Sequence, residues 1–308
     1  MPIFVCTGER LVRLERENGA WTADVVLDGG GVQCVAVDGA RVLAGTRGRG
    51  VFVSGDAADS WEPVELPEPD VFSVAIGAAD GALYAGTEPS RLFVCRAGRW
   101  EELEALQDIP SRERWSFPPR PWTHHVRWIA PDPRHADRLL VGIELGGVMY
   151  SDDGGATFSD HRPGAKLDAH CLAWHPRVEG RAYQAAGDGA AWSRDGGRTF
   201  EAADTGRDLG YCWGLAVDAD DPERWYVSAA SGPYAAHSGV RARGRLYRWD
   251  GAWRALALAG DTMPYALAVA DGELIAGLAD GRILRSGDRG ESWDELGVRV
   301  EAIVALAA

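Results

Sequence analysis

Basic residues are scarce in this chain. Its 308 residues hold 32 Lys and Arg against 46 Asp and Glu, a formal net charge of −14. A surface that acidic repels phosphate backbones and anionic lipid, so neither nucleic acid nor a membrane is an expected partner. Long apolar runs are missing as well. None reaches the roughly 18 residues of a spanning helix. The opening stretch MPIFVCTGERLVRLERENG has no basic segment followed by an apolar core, so no secretory signal is expected. The five cysteines, Cys6, Cys34, Cys95, Cys171 and Cys212, include no close pair. They fit neither a zinc site nor a disulfide framework. Cys34, Cys171 and Cys212 lie in apolar runs and read as buried thiols, which makes a cytoplasmic protein the expectation.

What is abundant is glycine and tryptophan. With 39 Gly, 16 Pro, 13 Trp and 46% hydrophobic residues, the chain can bury a sizeable core between many turns. One stretch recurs: SGDAADSW from Ser54, SDDGGATF from Ser151, SRDGGRTF from Ser193 and SGDRGESW from Ser286. The shared pattern is S-x-D-x-G-x-[ST]-[WF], with Ala58 replacing the glycine in the first copy. The starting serines are 97, 42 and 93 residues apart, one or two multiples of a single repeat. Worn copies fill the gaps, ending at Trp21, Trp100 and Trp253. Each copy follows short β-branched or aromatic runs bounded by Gly, Asp and Pro, as in VQCVAVDGARVLAGTRGRGVFVS from Val32, and these read as strands.

Four strands per unit at about 44 residues specify a β-propeller. The expectation is an all-β fold: a single seven-bladed β-propeller over residues 1–308, with four antiparallel strands per blade. The blades are residues 1–31 with 299–308, then 32–70, 71–125, 126–168, 169–211, 212–263 and 264–298. The C-terminal strand joins the N-terminal blade and closes the ring. A closed ring exposes no strand edge that demands a partner, so a monomer is expected. Four copies spaced round a ring cannot be one active site. Asp56, Asp153, Asp195 and Asp288 are therefore structural, accepting backbone N–H bonds at the hairpin between third and fourth strands.

These stretches resemble Asp-boxes, or BNR repeats, of the sialidase-like superfamily of propellers. That superfamily takes in sialidases, sortilin-type receptors, xyloglucan-active glycosidases and photosystem II assembly factors. The resemblance covers the whole chain as repeats and implies the fold. For function it spans hydrolases, receptors and scaffolds. The sialidase Arg-Ile-Pro motif has no counterpart, because the only "IP", in QDIPSRERW, lacks the preceding Arg. The xyloglucan-active relatives place their catalytic acids between two propellers, and one propeller is read here.

Chemistry is expected on the face opposite the repeated turns. Aligned innermost strands bring Gln33, Phe72, Arg127, His170, Trp213 and Tyr265 to one height. Asp70, His125, Asp168 and Tyr211 stand two positions earlier. The second-to-third connections on this face add Arg47, Glu88 and Glu144, with Arg49, Asp188 and Asp280 nearby. Two insertions, residues 106–125 and 231–244, break the repeat there and could roof a pocket. The expected catalytic groups are His125, His170, Glu144 and Asp188. Arg127, Asp168, Tyr211, Trp213, Tyr234, His237 and Tyr265 are the expected ligand contacts. The imidazoles of His125, His170 and His237 could bind a divalent metal. Plainer roles stand beside these: His124 and His125 as caps of the insertion, His175 as a turn residue, His135 and His161 in solvent.

The first functional expectation is a pocket for a small polar or anionic molecule, with or without catalysis. The alternatives are a protein-interaction scaffold with no catalysis, and a glycoside hydrolase using Glu144 and Asp188, which would need them about 5–10 Å apart.

Overall fold

The structure is a computed structural model describing residues 1–258 and 260–308. Seven antiparallel sheets stand round an axis, six of four strands and one of three. Their innermost strands are Val32–Asp38, Val71–Ile76, Val126–Pro131, Ala169–Trp174, Tyr211–Val217, Pro264–Ala270 and Ala305–Ala307. Each packs on the next, and Ala305–Ala307 lies between Pro264–Ala270 and Val32–Asp38. That last strand pairs with Ile3–Cys6, Phe4 opposite Ala307 and Cys6 opposite Ala305. The two chain ends thus close a seven-bladed propeller, as the repeat count requires.

The three-stranded sheet is Val126–Pro131, Leu139–Ile143 and Gly147–Ser151. Its fourth strand is reduced to a single bridge between Tyr150 and Ser159. The reason lies just beyond. The Val148 N–H donates to His161 Nδ1 at 3.1 Å, and Val148 O accepts from Arg162 N at 2.9 Å. A side chain replaces the ladder, and Pro163 has no N–H to resume it. His161, expected in solvent, is therefore a half-buried part of the sheet edge.

One irregularity recurs and points the chain at its axis. Between the first and second strands of six sheets the register slips by one residue. The residues left out of the ladder are Gln33, Phe72, Arg127, His170 and Tyr265, and in the fifth such sheet the slip spans Trp213 and Gly214. A bulge of this kind bends the strand and re-aims the extra side chain. Glycine on the facing strand permits it. A Cβ at Gly45 would stand 2.4 Å from Cys34 Sγ, and one at Gly86 would stand 2.6 Å from Ser73 Oγ, each on the bulged partner strand.

The four repeated turns share one set of bonds. In each, a serine hydroxyl donates to the Asp and accepts the N–H of the residue four positions on, for example Gly197 N to Ser193 Oγ at 2.9 Å. The Asp carboxylate then accepts both the N–H and the hydroxyl of Ser60, Thr157, Thr199 or Ser292. The aromatic that ends the motif ties sheets together, as when Trp61 Nε1 donates to Val26 O of the preceding sheet at 2.8 Å. His175 plays the same kind of local role, accepting from Arg177 N and Val178 N at 3.1 and 2.9 Å.

Replacing Asp195 with alanine strips acceptors from Thr199, Arg198 and Ser193. A loss of roughly 1–2 kcal/mol in urea unfolding is expected. Partial burial opposes ionisation of Asp195, but the bonds from Thr199 and Ser193 hold its pKa below the ordinary 3.8. Its contribution is therefore present above about pH 3.8 and is lost as pH falls further. The gap between wild type and variant should narrow in acid.

Candidate functional site

The bulges deliver their side chains to one mouth of the channel, and the loops around that mouth add charge. Arg120, from the 106–125 insertion, grips Glu88 with both terminal nitrogens, at 2.8 and 2.9 Å. Such a fork fixes a carboxylate in two directions. Glu88 Oε2 stands 3.4 Å from His125 Nδ1, off the line of a full hydrogen bond, so the contact is ionic. His125 Nε2 donates to Glu144 Oε2 at 2.7 Å, and Arg127 Nε lies 3.3 Å from the same oxygen. The His125 ring, 1% exposed, is held by stacking on Phe72 at 3.9 Å and by the edge of Phe117 at 5.1 Å.

Burial of His125 disfavours its charge, but Glu144 and Glu88 outweigh burial and raise its pKa. Burial likewise opposes ionisation of Glu144, and His125 and Arg127 win, bringing it down to about 2. Glu88 is lowered for the same reason, by His125 and Arg120 against burial. The chain Arg120–Glu88–His125–Glu144–Arg127 thus alternates basic and acidic groups, each in contact with the next.

The neighbouring groups are in the opposite condition. His170, fully buried, donates from Nδ1 to the Cys212 carbonyl at 2.6 Å. That bond fixes the tautomer and leaves the Nε2 lone pair facing Tyr211 OH at 3.4 Å, Asp168 Oδ1 at 3.6 Å and Glu144 Oε1 at 4.0 Å. Burial, with Arg127 adding to it, lowers the His170 pKa to about 4, so the ring is neutral at pH 7. Burial raises Asp168 to about 7, helped by the charges of Glu144 and Asp188. Asp168 Oδ1 has no hydrogen-bond partner among the described residues. Room for this carboxylate depends on Gly187, where a Cβ would stand 1.8 Å from Asp168 Oδ2.

Glu144, Asp168 and His170 each offer a ligand atom within 4.8 Å of the others and could hold a metal ion. The imidazole N–H bonded to a backbone carbonyl is the usual orientation of a ligating histidine. The three imidazoles expected to share a metal are not brought together in this way. His125 directs its nitrogens at the two glutamates. His237 is exposed at the end of the short helix Pro233–Ala236, its ring edge-on to Trp213 at 5.3 Å.

Trp213 is the hub of the far side, 4.8 Å from His170 and 5.4 Å from Tyr265, with the Arg127 guanidinium 5.2 Å over its ring. Tyr265 OH donates to Ala236 O at 2.6 Å and pins the 231–244 insertion. Tyr211 is buried beside His170, whereas Tyr234 is 93% exposed. Asp188, exposed, accepts the N–H groups of Leu167 and Asp168 at 3.2 Å each, so it shapes the loop that carries Asp168. The other insertion is anchored by Leu106, Ile109 and Trp115, buried with Val126 and Ile143. Sequence placed Glu88 on this face, at the repeat position of Glu144, but gave it no catalytic or binding role, and it did not single out Arg120. A cavity of about 310 Å³ runs along the channel, with Gln33, Phe72, Arg127, His170, Trp213 and Tyr265 at its polar end.

A strictosidine synthase-like, N-terminal family model matches residues 252–286. No curated protein matches the chain. Among solved structures, an ancestral GH74 enzyme aligns with a TM-score of 0.69 and 14% identity, over 95% of this chain and 40% of its own. The GH74 xyloglucanase from Xanthomonas campestris aligns at 0.63 and 18% identity, over 87% and 45%. YCF48 bound to D1 peptide aligns at 0.57 and 15% identity, over 86% and 81%. The chain spans less than half the length of either GH74 protein, and at these identities the likeness is one of fold. Enzymes and a peptide-bound protein share that fold.

Removing His125 as alanine leaves Glu88 and Glu144 buried with their shared partner gone, and a loss of about 3 kcal/mol is expected in denaturant unfolding. The His125 pKa is raised above 6.5, so its contribution is full below that pH and is lost as pH rises through the folded value. The Glu144 contribution is present above 4.5 and is lost as pH falls towards about 2. The gap between wild type and variant should therefore be widest between about pH 4.5 and 6.5.

Proposed function

We propose that this channel mouth binds a small anionic molecule, with Arg127 receiving the anion and Asp168 with His170 available to exchange a proton with it. The observation that carries this reading is Arg127: its Nε lies 3.3 Å from Glu144, and of the ion chain Arg120, Glu88, His125, Glu144 and Arg127 it is the member that lines the cavity. A neutral imidazole beside a carboxyl raised to about 7 is the kind of pair that can pass a proton near neutral pH. The same donor set, Glu144, Asp168 and His170, is the place for a divalent ion, which would supply a further positive charge. The glycoside hydrolase reading has less support, because Asp188 spends its carboxylate on two backbone N–H groups.

We also read the four repeated turns as Asp-boxes of the sialidase-like superfamily, residues 1–308 as one domain, and the protein as a cytoplasmic monomer. The pattern, the shared turn bonds and the five buried free cysteines support this. A second functional reading, docking of a protein segment on the rim, is favoured by Trp122 and Tyr234. They are 80% and 93% exposed, one on each insertion.

A thermal-shift screen of small carboxylates, sulfonates and phosphates tests the first reading. Binding is expected to raise the melting temperature of wild type and to fall at least tenfold in affinity in Arg127→Met. A screen without any stabilising anion would count against the reading. Metal analysis of untagged protein beside His170→Ala decides the cofactor: about one equivalent lost in the variant places a divalent ion at the site, and none in either leaves proton transfer alone.

A further inference from the structure

The cavity is not polar along its length. Beneath the bulged residues its walls are Val35, Val37, Val74, Ile76, Leu215 and Leu306, with small residues between. Ser73 is the one hydroxyl among the described lining residues below the mouth, and it is spent on Val126 O at 2.7 Å. The strand from Gln33 to Val37 descends this wall over about 13 Å, at 3.3 Å per residue. Of the other described lining residues below the mouth, the Trp128 indole N–H and the Cys171 thiol are side-chain donors, and most of the rest are aliphatic. The space is therefore charged at one end and mostly apolar along its axis.

We propose that the ligand is a monocarboxylate with an unbranched apolar tail, its head on the Arg127 guanidinium and its tail down the channel. The proposal rests on the anion-site reading above and names the class of molecule that fits it. Two features select the head group. Arg127 engages Glu144 through Nε, and its planar fork suits a carboxylate. An ammonium head placed at the mouth would be repelled by the Arg127 guanidinium that lines it. The tail is selected by the walls, since burying a methylene there removes about 0.8 kcal/mol of apolar exposure, roughly fourfold in affinity. Four extra methylenes then set a ceiling of about two-hundred-fold.

Calorimetric titration of the full chain with butanoate, octanoate and octylammonium tests this. Octanoate is expected to bind at least tenfold more tightly than butanoate, and octylammonium more weakly than either. Val35→Phe and Leu306→Phe, which narrow the channel from two neighbouring inner strands, should abolish the gain from chain length and leave butanoate binding unchanged. Circular dichroism shows whether each variant is folded, and either one suffices. Arg127→Met should weaken both carboxylates. Equal affinity for butanoate and octanoate in wild type would overturn the tail while leaving the anion site standing. Octylammonium binding more tightly than octanoate would overturn the head. Failure of every carboxylate to bind, with other anions binding, would overturn the ligand class, and failure of all anions would overturn the site itself.

Discussion

The mouth of this propeller depends on a backbone irregularity before it depends on any side chain. A regular innermost strand would turn its residues alternately onto the two neighbouring sheets, where they would be packed away. In five sheets one residue is instead left out of the ladder, and in a sixth the slip spans Trp213 and Gly214, at the same height each time. The ring then collects the displaced side chains round one opening. The facing glycines, Gly45 and Gly86 among them, have no Cβ because the bulged strand comes too close for one. Small residues on the second strand and large, mostly polar ones on the first are two sides of one constraint.

Within that ring, environment assigns opposite states to like residues. His125 and His170 are both buried, and burial alone would keep both neutral. His125 faces two carboxylates and is raised, whereas His170 has given one nitrogen to a carbonyl and is lowered to about 4. Glu144 and Asp168 divide in the same way, about 2 against about 7. The partition follows from which carboxylate His125 and Arg127 reach. Glu144 is compensated by both, and its retained negative charge then helps push Asp168 upward. A structural ion chain and a reactive pair are thus made from one set of residue types a few ångströms apart.

The fold was legible because it is written four times over. S-x-D-x-G-x-[ST]-[WF] states the turn chemistry, and its spacing states the number of sheets. The ring residues were legible too, since a repeat makes equivalent positions visible even where side chains differ as much as Gln33 and Trp213. What sequence could not convey was who pairs with whom. Glu88 and Glu144 hold equivalent positions in adjacent repeats, yet the residue that joins them, His125, enters from the connection between those repeats. Arg120 reaches Glu88 from an insertion that obeys no period. His237 and Tyr234 lie on the right insertion, but the helix Pro233–Ala236 turns the tyrosine outward and leaves the histidine at the edge of Trp213. Fourth-strand loss in the third sheet followed from His161, whose ring took a ladder position that no propensity scale assigns to a side chain.

Acidic residues crowd both faces of this molecule, and hydrogen-bond accounting separates them. At the repeated turns each aspartate satisfies its oxygens within a few residues of itself: Asp288 takes Ser286 and both donors of Ser292, and Asp195 adds Arg198 to the same pattern. Such a carboxylate has nothing left to offer an ion or a substrate, and the rigidity it confers is local. Asp168 has an oxygen with no donor at all, buried beside an imidazole lone pair that has only a long contact to Tyr211. An unsatisfied buried acceptor costs on the order of 1–3 kcal/mol, and a fold with four well-satisfied turns and a closed ring can bear that cost. Asp168 stands on the face where the bulges aim, Arg127 lines the cavity and the channel opens. An unmet carboxylate oxygen, rather than acidity, is what separates Asp168 from the aspartates of the repeated turns.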